Sequence, residues 1–191
     1  MTIQLPKNRR LLYLLPLALL LAGPGCKKAE EIITPKLPEA TQDGKGTFGC
    51  RLDDQLWLPH TDHTLLPSLS AGLKTPGNFT LRASDDHDEA DGYDEFTLAV
   101  QVPEVKPGTY TLGNGFSAQY SESGHRFVAG SANQGSMTIT KVEARQRTGS
   151  VTNITTKFHV VSGTFSFTAT SAVSGRVITI KEGRFDVQTS D

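Results

Sequence analysis

The stretch FHVVSGTFSFTATSAVSGRVITIKEGRFDVQ (158–188) decides the fold. Within it Phe165, Phe167 and Ala169 alternate with Thr164, Ser166 and Thr168, and Ile178 and Ile180 alternate with Thr179 and Lys181. A period of two is the pattern of a pleated strand with one face in a core and the other in water. Thr suits the wet face, because its branched Cβ fits the pleat while its hydroxyl stays solvated. The pattern slips twice. Phe158 and Val160 fall on even positions, whereas Val161, Gly163 and Phe165 fall on odd ones, and a second switch separates Ile180 from Phe185, with Gly183 between them. A bulge, or a division into two strands, repairs such a slip, and Gly tolerates the backbone a bulge needs.

The same alternation extends outward from this stretch. Phe79, Leu81 and Ala83 alternate with Thr80, Arg82 and Ser84. Phe96, Leu98, Val100 and Val102 alternate with Thr97, Ala99 and Gln101, and Met137 and Ile139 with Thr138 and Thr140. Turn residues punctuate these runs: Asp53 and Asp54 between 48–52 and 56–58, Pro107-Gly108, Gly113-Asn114-Gly115, and glycines at 124, 135, 149, 163, 175 and 183. Asp53-Asp54 therefore predicts a hairpin. No ten-residue helical period follows residue 45; a short helical turn near 65–69 is opposed by Pro67. Residues 46–190 are expected to form an all-β domain, an antiparallel β-sandwich or barrel-like fold of about 8–10 strands.

Composition narrows the function classes. The chain of 191 residues carries 19 Lys+Arg against 20 Asp+Glu, without the charge excess of a nucleic-acid binder. Two Cys are too few for a disulfide scaffold or a Cys-based zinc cluster. The first 26 residues read as an address. Lys7, Arg9 and Arg10 precede an apolar run at 11–23. As a helix that run would span about 20 Å, short of the ~30 Å of a bilayer core. A basic flank, a short apolar stretch and small residues describe a secretory signal peptide, here 1–25. Cys26, directly after Gly25, resembles the acylated Cys of a bacterial lipobox, although Gly23 and Pro24 stand where Leu and a small Ala or Ser are usual. Cys26 is thus the expected lipid-attachment residue and membrane lipid the expected partner. Lys27, in the place where Asp retains such proteins at the inner membrane, favours the outer membrane, and Glu30 and Glu31 loosely resemble a surface-export tag. Removing 1–25 takes away three basic residues, leaving 16 Lys+Arg, 20 Asp+Glu and a net charge of −4. Residues 26–45, with Pro35 and Pro38 and no persistent period, read as a flexible tether.

The runs VKPGTYTLGNGFSAQY (105–120), GSMTITKVEAR (135–145) and SGTFSFTATSAVSGRVITIKEGRFDVQ (162–188), together with LPEATQDGKGTFGCRLDDQLWLP (37–59), resemble a family of lipoproteins of unknown function found in Bacteroidetes-type bacteria. The resemblance implies an all-β domain and a lipoprotein address, with no catalytic residues to carry over. At 145–157 the chain departs from that family's spacing with a lengthened loop.

Candidate sites are few. Asp85, Asp86, Asp88, Glu89, Asp91, Asp94 and Glu95 form an acidic run that reads first as a solvated hairpin loop and second as a calcium site. The EF-hand template fails, since counting from Asp86 the sixth place is Asp91 rather than Gly. His60 and His63 flank Asp62 with metal-ligand spacing but lack a third ligand in the sequence. His87, His125 and His159 are isolated. Cys50, between Phe48 and Leu52, reads as a small buried thiol. Trp57, Tyr93, Tyr110 and Tyr120 could form a sugar-stacking platform if several face outward. No nucleophile elbow, phosphate loop, HExxH or dinucleotide fingerprint occurs, so no catalytic residue, metal or cofactor is assigned. The expectation is a non-catalytic, lipid-anchored protein of the outer membrane with a binding or structural role, or alternatively an envelope binder of carbohydrate or another small ligand.

Overall fold

Alternating strands need partners on both edges, and the computed structural model supplies them over the residues it describes, 35–62, 67–74, 77–86 and 93–189. The elements are β1 (Thr47–Leu52), β2 (Gln55–Trp57), β3 (Leu69–Lys74), β4 (Asn78–Asp85), β5 (Asp94–Gln101), β6 (Gly108–Leu112), β7 (Gly115–Glu122), β8 (His125–Ala129), β9 (Gly135–Thr148), β10 (Thr155–Ser171) and β11 (Val177–Gln188). No helix occurs among the described residues. The all-β expectation is met with eleven strands, in one sheet ordered β2-β1-β11-β10-β9-β6-β7-β5-β4-β3, while β8 pairs with both β7 and β10. The strand pairings are antiparallel except β6 with β7, which run parallel across the turn at 113–114. That jog hands the chain from β9 to β5, so the sheet is mixed rather than wholly antiparallel. Leu69 opens β3; Leu65 and Leu66, where a helical turn was open, lie outside the described residues.

Both parity slips coincide with bulges, the extra residue lying in β9 at the first and in β11 at the second. β10 is one strand of 17 residues whose register shifts between Ser162 and Gly163 against β9 and between Phe165 and Phe167 against β11. Val160, Val161, Ser162 and Gly163 are consequently buried in succession. A Cβ on Gly183 would collide with the Phe165 ring, so the bulge opposite Phe165 requires the smallest residue. The Asp53-Asp54 hairpin is present, with both residues at positive φ (46° and 67°) as its tight turn demands. The loop expected at 145–157 is shorter than the sequence suggests, because strand pairing continues to Thr148↔Thr155.

One face of this sheet must be hidden, and the sheet achieves it by rolling. Phe79, Leu81 and Ala83 of β4 and Phe96, Leu98 and Val100 of β5 are wholly buried. Their rings meet strands from the other end of the sheet order. Phe79 stacks on Phe185 of β11 with centroids 5.7 Å apart. Phe96 lies 4.7 Å from Trp57 of β2 and 5.9 Å from Phe48 of β1, and it also touches Tyr120 and Phe167. Aromatic pairs at these separations add about 0.5–1.5 kcal/mol each beyond their buried area.

The N-terminal boundary differs from the sequence reading. Residues 26–34 of the expected tether lie outside the described residues, but 38–45 are fastened to the domain rather than free. The agent is Asp186, whose side chain is buried in β11. Its carboxylate accepts five hydrogen bonds, from the Thr41 hydroxyl (2.6 Å), the Ser162 hydroxyl (2.7 Å) and the backbone N–H groups of Gly44 (2.8 Å), Asp43 (3.0 Å) and Lys45 (3.2 Å). Successive N–H groups converging on an anion form a nest. Gly44, at φ 74°, permits it, and a Cβ there would press on Val160 and Gln188. The Arg184 guanidinium donates to the Pro38 carbonyl (3.2 Å), and the Gln188 amide donates to the Gly44 carbonyl (2.8 Å). Pro35–Asp191 is a compact unit in its own right.

Burial alone would raise the pKa of Asp186, but the hydrogen bonds outweigh it and bring it from the ordinary 3.8 to about 2. A carboxyl with a folded pKa below its unfolded one stabilises the fold fully above the unfolded value and loses that contribution as pH falls. The 35–191 fragment should therefore lose about 2 kcal/mol of stability between about pH 4 and pH 2 through this group. Urea titrations followed by the fluorescence of Trp57 should show Asp186→Asn destabilised by about 2–4 kcal/mol at neutral pH, with that acid step abolished. The fragment 46–191, which lacks the nest, should be weakened likewise; an unchanged urea midpoint for both would refute the role given to Asp186.

Candidate functional site

Strands β3, β4 and β5 turn their apolar side chains inward, so Ser70, Arg82, Ser84 and Glu95 stand on the outer face. Arg82 pairs with Glu95 through a 2.6 Å hydrogen bond, and the second Glu95 oxygen accepts from the Thr97 hydroxyl (3.2 Å). The hydrogen bond to Glu95 and its charge raise the pKa of Arg82. The chain past β2 returns to this face. His60 donates its N–H to the Ser84 carbonyl (3.0 Å), and its own carbonyl accepts from Asp86 (3.3 Å), a short parallel bridge beyond the end of β3. This bridge brings Thr61 to Asp86, where the hydroxyl donates across 2.7 Å, and the Asp62 N–H donates to the other carboxylate oxygen (3.2 Å).

The result is a cleft of about 470 Å³ lined by Thr61, Pro67, Ser68, Ser70, Arg82, Ser84, Asp86, Tyr93 and Glu95. Four hydroxyls, two carboxylates, a guanidinium and one phenol line a single concavity. Tyr93 is 58% exposed, and its ring gives the cleft an open aromatic wall. The arrangement can hydrogen-bond a polar ligand from several sides and stack against one apolar face of it.

The aromatic platform read from the sequence does not assemble. Trp57 and Tyr120 are buried in the core, and Tyr110 folds back so that its hydroxyl donates to the Lys106 carbonyl (2.6 Å). Tyr93 remains. The acidic run divides between structure and loop. Asp85 and Asp94 face each other across the β4–β5 pair, with Asp86 and Glu95 in the cleft, whereas Asp88, Glu89 and Asp91 lie outside the described residues. Burial raises the pKa of Asp94, as do the carboxylates of Glu122 and Asp85, against the opposing hydrogen bond (2.8 Å) from Tyr120. His63 and His87 are outside the described residues as well. His60 has Asp62 3.5 Å from Nε2 and Asp86 3.7 Å from Nδ1. His60, Asp85 and Asp86 each offer a donor atom within 4.8 Å of the others, a mixed nitrogen and oxygen set that a divalent cation could bridge. Sequence spacing paired His60 with His63, and the partners that the fold brings to it come from the end of β4. Cys26 lies outside the described residues.

Cys50 is buried as expected, and burial pushes its thiol up to about 12. In the native 35–191 fragment a disulfide reagent such as DTNB should leave it unmodified at neutral pH and react with one thiol per chain once urea unfolds the sheet. Rapid reaction of the native fragment, read by absorbance, would contradict this burial.

No curated protein and no solved structure matches the chain. A family model does, over residues 68–187. That span runs from the edge strand β3 into β11 and contains Ser70, Arg82, Ser84, Asp86, Tyr93 and Glu95 of the cleft as well as Asp186. On this extent the chain belongs to the family described as a domain of unknown function, DUF6252.

Proposed function

We propose that this protein is a non-catalytic, lipid-anchored binder of the bacterial outer membrane that takes a small hydroxyl-rich ligand of the saccharide class in the β3–β5 cleft. The observation that carries the ligand class is the lining of the cleft: Tyr93 exposed at its wall, hydroxyls from Thr61, Ser68, Ser70 and Ser84, and the Arg82–Glu95 pair beside them. Sugars present hydroxyls on their edges and C–H groups on their faces. Charged and hydroxyl side chains suit the edges, and an aromatic ring suits a face. The cleft volume falls within the ~300–1,000 Å³ typical of small-ligand sites.

The anchor is read from Cys26 and the segment before it. Each buried methylene contributes about 0.8 kcal/mol, and two acyl chains suffice for stable attachment without a membrane-crossing helix. Such a protein would present the cleft to ligands at the envelope without being released.

Two measurements test the two halves. Cells fed a clickable fatty acid should label the wild-type chain and leave Cys26→Ala unlabelled; label retained by Cys26→Ala would refute the anchor. A glycan array probed with the 35–191 fragment should retain it on a subset of saccharides. Tyr93→Ala should weaken that binding by about tenfold, the loss of one stacked ring at roughly 1.4 kcal/mol. Absence of retention across the array, or binding unaffected by both Tyr93→Ala and Arg82→Ala, would overturn the saccharide reading.

A further inference from the structure

β9 and β10 outrun the rest of the sheet. β6 last pairs with β9 at Ile139, and β11 pairs with β10 only as far as Val160. His159 is still tied to Thr189, which donates its N–H to the His159 carbonyl (2.9 Å), and from Arg145↔Phe158 to Thr148↔Thr155 the strand pairing is between β9 and β10 alone. A two-stranded ribbon is marginal in isolation, and this one exposes Ala144, Gln146, Arg147, Thr148, Thr155, Thr156 and Lys157. Its tip holds two of the most exposed apolar side chains among the described residues, Val151 at 92% and Ile154 at 64%. The tip is nonetheless a closed turn. Gly149 donates to the Ile154 carbonyl (3.0 Å), and Asn153 donates to the Gly149 carbonyl (2.9 Å). Backbone groups tied up in this way can approach an apolar phase at low cost.

Charge sets the kind of phase. Between Ala144 and His159 the sequence has Arg145, Arg147 and Lys157 and no acidic residue, although the chain without 1–25 is net negative. Arg145 is neutralised by Glu143 (2.6 Å). Arg147, opposite Thr156, and Lys157, opposite Gln146, stand on opposite faces of the ribbon behind the tip. Neither has a carboxylate partner among the described residues. The root of the ribbon is also where the N-terminal segment docks: Lys141 donates to the Gln42 carbonyl (3.0 Å) and Arg145 to the Asp43 carbonyl (3.2 Å). Eight residues separate Cys26 from Pro35. Fully extended they reach about 30 Å, and the ribbon from Glu143 to its tip spans about 20–25 Å.

We propose that the β9–β10 ribbon is a second membrane contact, with Val151 and Ile154 entering the headgroup–acyl boundary of the leaflet that holds the acylated Cys26, and Arg147 and Lys157 meeting anionic phospholipid headgroups. The proposal rests on the lipid-anchor reading for the choice of leaflet. A bilayer fits the tip better than a protein partner does: a stable protein interface needs about 800 Å² per side, more than a narrow convex turn offers, whereas headgroups part around one.

The inertness of Cys50 allows a single label to be placed. Val151→Cys in the 35–191 fragment, labelled with an environment-sensitive dye, should show a blue shift and about a twofold intensity rise on adding vesicles of phosphatidylethanolamine and phosphatidylglycerol. Val173→Cys is the control, since Val173 is equally exposed (91%) in the turn at the other end of β10, and it should not respond. Arg147→Gln with Lys157→Gln should weaken the response at 151 by about tenfold, and high salt should do the same. No response at 151 up to several millimolar lipid, an equal response at 173, or indifference to the paired Gln variant would overturn the proposal. Because this fragment lacks Cys26, its result is independent of acylation: fatty-acid labelling that fails would sink the anchor alone, and a silent dye would sink the ribbon contact alone.

Discussion

The seam between the two ends of the sheet is the constraint on which everything else turns. Eleven strands in one sheet present a large apolar face, and no helix among the described residues is there to cover it. The face can be hidden only if β4 and β5 come to lie over β1, β2 and β11. Phe79 on Phe185, and Phe96 against Trp57 and Phe48, are where that closure is made. The bulges put one extra residue into β9 opposite Ser162–Gly163 and one into β11 opposite Phe165–Phe167, the kind of irregularity that bends a strand and increases its twist. The outer face of β3–β5 then has its position because the inner face is committed to the seam. Arg82, Ser84 and Glu95 reach the cleft by simple alternation from Leu81, Ala83 and Phe96.

Asp186 adds a polar constraint of a different kind. A carboxylate buried in β11 needs its lone pairs satisfied, and beside Ser162 its donors come from a segment some 140 positions earlier in the chain. The segment that sequence would leave in solvent is thereby drawn onto the domain. It closes over Val160 and Gln188, and it docks at the root of the β9–β10 ribbon.

Much of this was legible from the residues, and the division has a physical logic. Strand interiors such as 79–83 and 96–100 declare themselves because burial on one face enforces a period of two. The parity slips at 160–163 and 180–185 marked the bulges for the same reason. What stayed hidden depends on contacts distant in sequence. Nothing local in TQDGK (41–45) shows that its N–H groups face a carboxylate at 186. Trp57 and Tyr120 were candidates for an exposed platform because alternation gives relative faces, not which face the roll encloses. The ribbon residues 145–157 read as a loop, since a strand wet on both sides shows no alternation. The cleft was half visible: Asp86, Tyr93 and Glu95 stood in a noticeable acidic run, but Thr61, Ser70 and Ser84 carry no signal until His60 bridges to β4.

The nest around Asp186 also has a mechanical meaning. Tension applied through the N-terminal segment travels along the chain toward residue 47, where β1 begins. Without an intervening fastening it would act on β1 directly and could unzip the β1–β11 ladder one bond at a time. The contacts from Thr41, Asp43, Gly44 and Lys45 intercept that tension and pass it to β11, a strand flanked on both edges by β1 and β10. Several bonds must then fail together before the first strand is disturbed. A domain built in this way can be pulled through its N-terminal segment while the outer face of β3–β5 keeps its shape.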